Sequence, residues 1–175
     1  SREAVWVLAG AGAPRVLEIG AVLGRITKGA PVATPAAGNT GNGAAGAVTL
    51  GQAAQVGDYV LTCTATAANG GVFQVQAPGG LLLPPLTVGQ AYQGGHINLT
   101  VSDGADDFAV GDKFTVNVPA GSGKYKAIDP AAVDGSQDAA AVLLARVSAP
   151  DGVDAQGVAL VREAVIAPSK LAWPE

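Results

Sequence analysis

Two glycine-rich segments, residues 38–43 and 120–123, constrain the fold of this chain more than any other sequence feature. Such segments often form flexible connections between separately packed domains. The block between them, residues 36–120, contains one basic residue, Lys113, against five aspartates. A surface with so few charges depends on uncharged polar side chains for solubility. We therefore expect residues 36–120 to form a domain separate from the flanking segments, residues 1–35 and 121–175.

Short apolar runs punctuated by glycine and proline indicate a mainly β fold. The middle block has its own set of strand patterns and turn sequences, which are typical of an Ig-like β-sandwich. Its predicted strands are residues 47–50, 59–65, 72–76, 97–101 and 113–118.

The terminal segments are also strand-like. Residues 5–9, 16–19 and 22–26 are short β-prone runs. The alanine-rich residues 139–147 also favour a strand, because valine and leucine cluster there ahead of a turn at residues 150–152. Residues 157–163 are the expected hairpin partner of that strand.

Charge and composition exclude several classes of partner. The formal net charge is −4, so the chain lacks the basic surface with which proteins bind nucleic acid. No apolar run of about 18 residues and no signal-peptide pattern is visible, so we expect neither a membrane partner nor export. Cys63 is the only cysteine, which excludes an intramolecular disulfide and predicts a small buried thiol.

The sequence motifs that suggest catalysis are incomplete. Gly121-Ser122-Gly123-Lys124 lacks the first glycine of a phosphate-binding loop and has Tyr125 where Ser or Thr would bind magnesium. Gly10-Ala11-Gly12 lacks the third glycine of a dinucleotide motif. His96, the only histidine, has no convincing serine nucleophile near it in the sequence. We expect no enzyme activity and no cofactor.

Residues 103–107, Asp-Gly-Ala-Asp-Asp, allow two interpretations. Clustered carboxylates are the ligands that calcium prefers, but this segment lacks the twelve-residue loop with its terminal glutamate. Aspartate and glycine between two strands also suit an ordinary turn. The sequence favours the turn and leaves cation binding open.

Both ends of the chain resemble the head decoration proteins of lambda-type tailed phages. The N-terminal part of the resemblance is Ser-Arg-Glu-Ala-Val at residues 1–5 and Ile-Gly-Ala-Val-Leu-Gly-Arg-Ile at residues 19–26. The C-terminal part is Gly-Lys-Tyr at residues 123–125, the Asp-Pro-Ala-Ala-Val-Asp-Gly-Ser-Gln segment at residues 129–137, and Leu-Ala-Trp-Pro-Glu at residues 171–175.

This resemblance implies that residues 1–35 and 121–175 form one small, discontinuous β-clip-like core, interrupted by an inserted domain of residues 36–120. It also implies that the protein coats capsids and catalyses no reaction. It implies a homotrimer at the three-fold positions of an expanded head, bound to the major capsid protein on the outside of the virion and stabilising the shell. Trp173 follows Leu171 and precedes Pro174, a setting that restricts the backbone and suits an aromatic interface anchor. The candidate interface residues are Arg2, Val5, Trp6, Leu171, Trp173 and Pro174.

A second functional hypothesis assigns the middle block to a virion surface-binding module for a carbohydrate or another host-surface ligand. Aromatic rings on a shallow exposed face suit sugars. This hypothesis depends on whether Phe73 and Tyr92 are exposed or belong to the core.

Overall fold

The structure, a computed structural model, describes residues 1–161 and 168–173. Across these residues the regular structure is β apart from one 3₁₀ turn, Pro168–Lys170, so the predicted mainly β fold is confirmed. None of the described residues forms a helix long and apolar enough to cross a membrane.

The strands are short, and most are separated by turns that contain glycine or proline. In chain order they are β1 (Arg2–Val7), β2 (Arg15–Leu17), β3 (Val22–Arg25), β4 (Val32–Pro35), β5 (Ala44–Ala45), β6 (Thr49–Leu50), β7 (Gly57–Ala67), β8 (Gly70–Gln76), β9 (Leu82–Thr87), β10 (Tyr92–Gln93), β11 (Ile97–Leu99), β12 (Val101–Ser102), β13 (Lys113–Val118), β14 (Tyr125–Ala127), β15 (Ala139–Leu143), β16 (Val147–Ala149) and β17 (Ala155–Leu160).

The chain divides into two compact units. The terminal unit comprises residues 1–27 and 121–175, and the middle unit comprises residues 28–120. Residues 28–35 belong to the middle unit because β4 pairs with β13, so the unit begins earlier than the glycine pattern suggests.

The terminal unit is built around a closed barrel with the strand order β1-β14-β3-β15-β17, and β2 pairs separately with β16. Alternate side chains along each strand point to opposite faces. Val5 and Val7 therefore enter the core from β1, while Leu23 and Leu143 enter it from β3 and β15. β17 pairs with β15 as the sequence predicts, although β16 lies between them along the chain. The pairing of β17 with β1 is longer than its pairing with β15. Residues 162 and 163 of the expected hairpin strand lie outside the described residues.

The middle unit contains a five-stranded sheet, β4-β13-β7-β8-β9, and a three-stranded sheet, β10-β11-β6. Side chains from both sheets form one core, as in a β-sandwich. Phe73 packs edge-on against Phe108, with their ring centroids 5.0 Å apart.

Residues 38–43, predicted from the sequence to form a flexible connection, are held within the middle unit. The Asn39 side chain accepts a hydrogen bond from the Lys113 N–H at 2.7 Å and donates one to the Lys113 carbonyl at 2.8 Å. The Asp112 carboxylate accepts from the N–H groups of Thr40 and Gly41 at 2.8 and 2.9 Å. The glycines here allow close packing against Phe108 rather than mobility, since a Cβ on Gly41 would lie 2.6 Å from that ring.

Candidate interface surface

β1 presents its candidate interface residues to opposite faces of the barrel. Arg2 and Trp6 are exposed, and the Trp6 side chain is 53% exposed. Val5 is buried in the core of the terminal unit, so its side chain supports the barrel and does not reach the outer surface. The alternation follows directly from the two-residue period of a strand.

Apolar side chains continue from Trp6 across the outside of the barrel. In the antiparallel register of β1 and β17, Ala4 lies opposite Val158, which places Trp6 diagonally beside Val158. Leu160 lies opposite Val142 on β15. A groove of about 430 Å³ adjoins this pair and is lined mainly by apolar residues, among them Ile19, which is 66% exposed. We refer to Trp6, Val158, Leu160, Val142 and Ile19 as the apolar face.

The C-terminal segment lies against the start of β3. Ala172 forms a parallel bridge with Ala21, and its N–H donates to the Gly20 carbonyl at 2.9 Å. Gly20 has a φ of 83°, and a Cβ there would overlap the Lys170 carbonyl, so this approach requires glycine. Leu171 is half-buried and Trp173 is 60% exposed, while Pro174 lies outside the described residues.

A second groove of about 470 Å³ separates the first part of β1 from the segment that leads into β14. The register of these two parallel strands has one pair, Val7 with Tyr125, so they diverge towards Arg2. The Lys124 ammonium lies 2.5 Å from the Asp154 carboxylate on the groove wall. The hydrogen bond from Lys124, together with one from the Ala9 N–H, lowers the pKa of Asp154 below its ordinary value.

The Asp134-Gly135-Ser136 sequence lies beside the end of β3. Buried Ser136 donates hydrogen bonds from its hydroxyl and its N–H to the Asp134 carboxylate, at 2.5 and 2.9 Å. Burial raises the pKa of Asp134, but the Ser136 bonds and the Lys126 ammonium at 3.3 Å outweigh burial and lower it. The Asp134 carbonyl accepts from the Thr27 N–H at 2.8 Å. This segment therefore has a structural role, which the Asp-x-Ser spacing could have indicated.

Three of the acidic side chains in the middle unit connect its loops. Asp106 accepts from the Asn42 side-chain amide at 2.8 Å, and Asp107 accepts from the Asn69 N–H at 2.8 Å. The Asp112 carboxylate bonds to three N–H groups. Both carboxylate oxygens of Asp103 are buried and form no hydrogen bond within the described part of the chain. Among the same residues, no three His, Cys, Asp or Glu side chains are grouped so that they could hold a metal ion.

The rings on which the carbohydrate hypothesis depends lie in the core of the middle unit. Phe73 is 0% exposed and Tyr92 is 7% exposed. These two residues therefore form no exposed aromatic platform. His96 is a hydrogen-bond partner of the Tyr59 hydroxyl, with 3.1 Å between Nδ1 and the oxygen.

The sequence matches the family model described as bacteriophage lambda head decoration protein D over residues 1–175. The match runs through the middle block and marks no boundary for an insertion. Two crystal forms of FlgL from Xanthomonas campestris are similar in structure, each with a TM-score of 0.40, at 18% and 19% sequence identity. The alignments cover 67% and 66% of this chain but only 41% and 40% of FlgL. No curated protein sequence matches.

Proposed function

Because the chain belongs to the bacteriophage lambda head decoration protein D family, and is therefore a structural component of the outer capsid surface, we propose that it stabilises the expanded head as a homotrimer at three-fold positions. Its partner in the general sense is the phage capsid, and the family is a structural one rather than a family of enzymes. The proposed contact within the capsid is the major capsid protein.

The apolar face is the observation that supports the proposed homotrimer. It extends over three adjacent strands, and its members Trp6, Ile19 and Val158 are 53%, 66% and 45% exposed. Contiguous apolar surface of this kind is typical of protein interfaces, and aromatic residues are enriched at their centres. Closed cyclic symmetry lets copies bury one such face and stops growth at a defined number of subunits.

A charge placed on the apolar face tests this assignment. Val158→Glu should yield monomers in light scattering, because an unpaired carboxylate would be buried in the interface. Val153→Glu is the matched control, since Val153 is a 57% exposed valine of the same unit outside the apolar face. Trimers of Val158→Glu that are as stable as those of the control would place the subunit contact elsewhere.

We further propose that the middle unit folds on its own as a β-sandwich and is dispensable for attachment. It has a separate core, and Lys28 pairs with Ala120 where the chain enters and leaves the unit. In the terminal unit, the Gly121 N–H donates to the Thr27 carbonyl at 2.9 Å, so a short connection could replace residues 28–120.

A variant with that replacement should retain its β circular dichroism and bind undecorated expanded heads with the occupancy of the full chain. A folded variant that leaves the heads bare would show that the middle unit supplies the attachment. The isolated middle unit, tested in parallel, should fold and fail to bind.

A further inference from the structure

The chain contains two Asn-Gly sequences, Asn42-Gly43 and Asn69-Gly70, and both asparagines are exposed. Asn-Gly is the dipeptide in which the following amide nitrogen most easily reaches the asparagine side chain, because glycine has no Cβ to obstruct the approach. The reaction still requires the side chain and the backbone to rotate together. The local contacts of each pair therefore decide whether the reaction can occur in the folded protein.

Both polar atoms of the Asn42 side chain are hydrogen-bonded. Its Oδ1 accepts from the Asp106 N–H at 3.0 Å, and its Nδ2 donates to the Asp106 carboxylate at 2.8 Å. A Cβ on Gly43 would lie 2.3 Å from both the Phe108 ring and the Ser102 carbonyl oxygen, so the backbone of Gly43 is tightly enclosed. Rotation at Asn42 would break both side-chain hydrogen bonds and move a packed glycine.

The Asn69 side chain is less restrained than that of Asn42. It lies in the two-residue turn between β7 and β8, with a φ of 54°, a left-handed conformation. Its own N–H donates to Asp107, but its side-chain amide has no hydrogen bond to any described residue. A Cβ on Gly70 would meet nothing closer than the Ala67 Cβ at 3.7 Å, so the space around Gly70 is open.

We propose that Asn69 is a site of spontaneous deamidation in the folded protein and that Asn42 is protected. The Gly70 nitrogen gives up its proton to solvent base and forms a bond to Asn69 Cγ. The bond from Cγ to the side-chain nitrogen breaks, and this nitrogen takes up a proton and leaves as ammonia. Water then opens the resulting five-membered imide at either carbonyl, which gives aspartate or isoaspartate at position 69.

Either product changes this turn. It adds a negative charge next to Asp107, the carboxylate that now accepts from the Asn69 N–H. The isoaspartate product also lengthens the backbone of a two-residue turn by one carbon atom, which is incompatible with the present pairing of Ala67 with Gly70. Deamidation would thus loosen the end of the β7–β8 hairpin without touching the core.

The test is to incubate the full-length protein under native, mildly alkaline conditions and to follow both sites by peptide mass spectrometry. Trypsin leaves both asparagines in one peptide, because no Lys or Arg lies between Lys28 and Lys113. Cleavage before Asp58 separates them, and a protease that cleaves before aspartate but not isoaspartate distinguishes the products at position 69. Breaking two hydrogen bonds should slow reaction at Asn42 roughly tenfold or more relative to Asn69.

Two variants make the result specific. Gly70→Ala should slow reaction at Asn69 while leaving the hairpin folded. Asp106→Ala removes the bond from Asn42 Nδ2 but keeps the bond from the N–H of residue 106 to Asn42 Oδ1, so it should accelerate reaction at Asn42 part of the way towards the rate in the unfolded chain. The urea-unfolded chain provides the intrinsic rate at both sites. Equal rates at Asn42 and Asn69 in the native protein, or no reaction at Asn69 under conditions where the unfolded chain reacts, would overturn the proposal.

Discussion

Replacement of Asp112 by asparagine should destabilise the middle unit selectively. Asp112 is 4% exposed, and its two carboxylate oxygens accept from three N–H groups. One oxygen accepts from Thr40 at 2.8 Å, and the other accepts from Gly41 and Ala109 at 2.9 and 3.0 Å. These bonds join the segment after β4 to the turn that precedes β13.

The expected loss of stability follows from how the three hydrogen bonds are divided between the two carboxylate oxygens. In Asp112→Asn, the amide oxygen can keep the two bonds from Gly41 and Ala109, whereas the NH₂ group then faces the N–H of Thr40, and two donors cannot bond. Losing one N–H bond to a charged acceptor and weakening the other two should cost about 2–3 kcal/mol. Asp112→Ala removes all three acceptor contacts and should cost about 3–5 kcal/mol.

The same bonds predict how stability depends on pH. Burial raises the pKa of Asp112, but the bonds from Ala109, Gly41 and Thr40 outweigh burial and lower it. A lowered folded-state pKa gives stability that is fully present above the unfolded value, about 3.9, and is lost as the pH falls through the folded value. The middle unit of the native sequence should therefore lose stability in acid, and Asp112→Asn should show a weaker dependence.

Hydrogen exchange with mass spectrometry in increasing urea measures the stability of both units in one sample. The middle unit of Asp112→Asn should open at lower urea, while the terminal unit, which has a separate core, should not change. Asp58→Asn is the control, because it removes one charge from an exposed aspartate that accepts from Asn117. Equal unfolding of Asp112→Asn and this control would refute the argument from the three bonds.

Three further changes test other parts of the structure. Gly135→Ala should lower the stability of the terminal unit by about 2 kcal/mol, because Gly135 has a φ of 104° and a Cβ would overlap Thr27; an unchanged melting temperature would contradict this. Burial raises the pKa of the Cys63 thiol, so a thiol reagent should label it only after unfolding, and rapid native labelling would show that the thiol is accessible. Trp173→Ala should weaken binding to heads by about 2 kcal/mol and leave the free protein equally stable, since the ring is exposed; unchanged occupancy would remove Trp173 from the interface.

The alternation of apolar and polar residues predicted the strands of the middle unit well where one face of the strand is apolar. Residues 113–118 form β13 at the predicted bounds, and Phe114, Val116 and Val118 all enter the core. β9, in contrast, contains Pro84 and Pro85, and sequence rules exclude proline from central strands. The two prolines are tolerated because β9 is the last strand of its sheet.

The candidate interface was only partly predictable. The exposure of Arg2 and Trp6 follows from alternation along β1, which also places Val5 inside. The apolar face, however, depends on the pairing of β1 with β17, across more than a hundred residues of sequence, as well as on the predicted pairing of β17 with β15. A single sequence without related sequences contains no signal for that register.

The pairing of Lys28 with Ala120, where the chain enters and leaves the middle unit, has a consequence for the order of folding. In the terminal unit, β3 pairs with β14 although residues 28–120 separate them along the chain. Joining these strands first would require closure of a very long loop, which slows folding. Once the middle unit has folded, its two ends are adjacent, and the remaining closure is that of a short turn. Formation of the middle unit should therefore accelerate completion of the barrel, so a mutation that slows folding of the middle unit should delay the barrel as well.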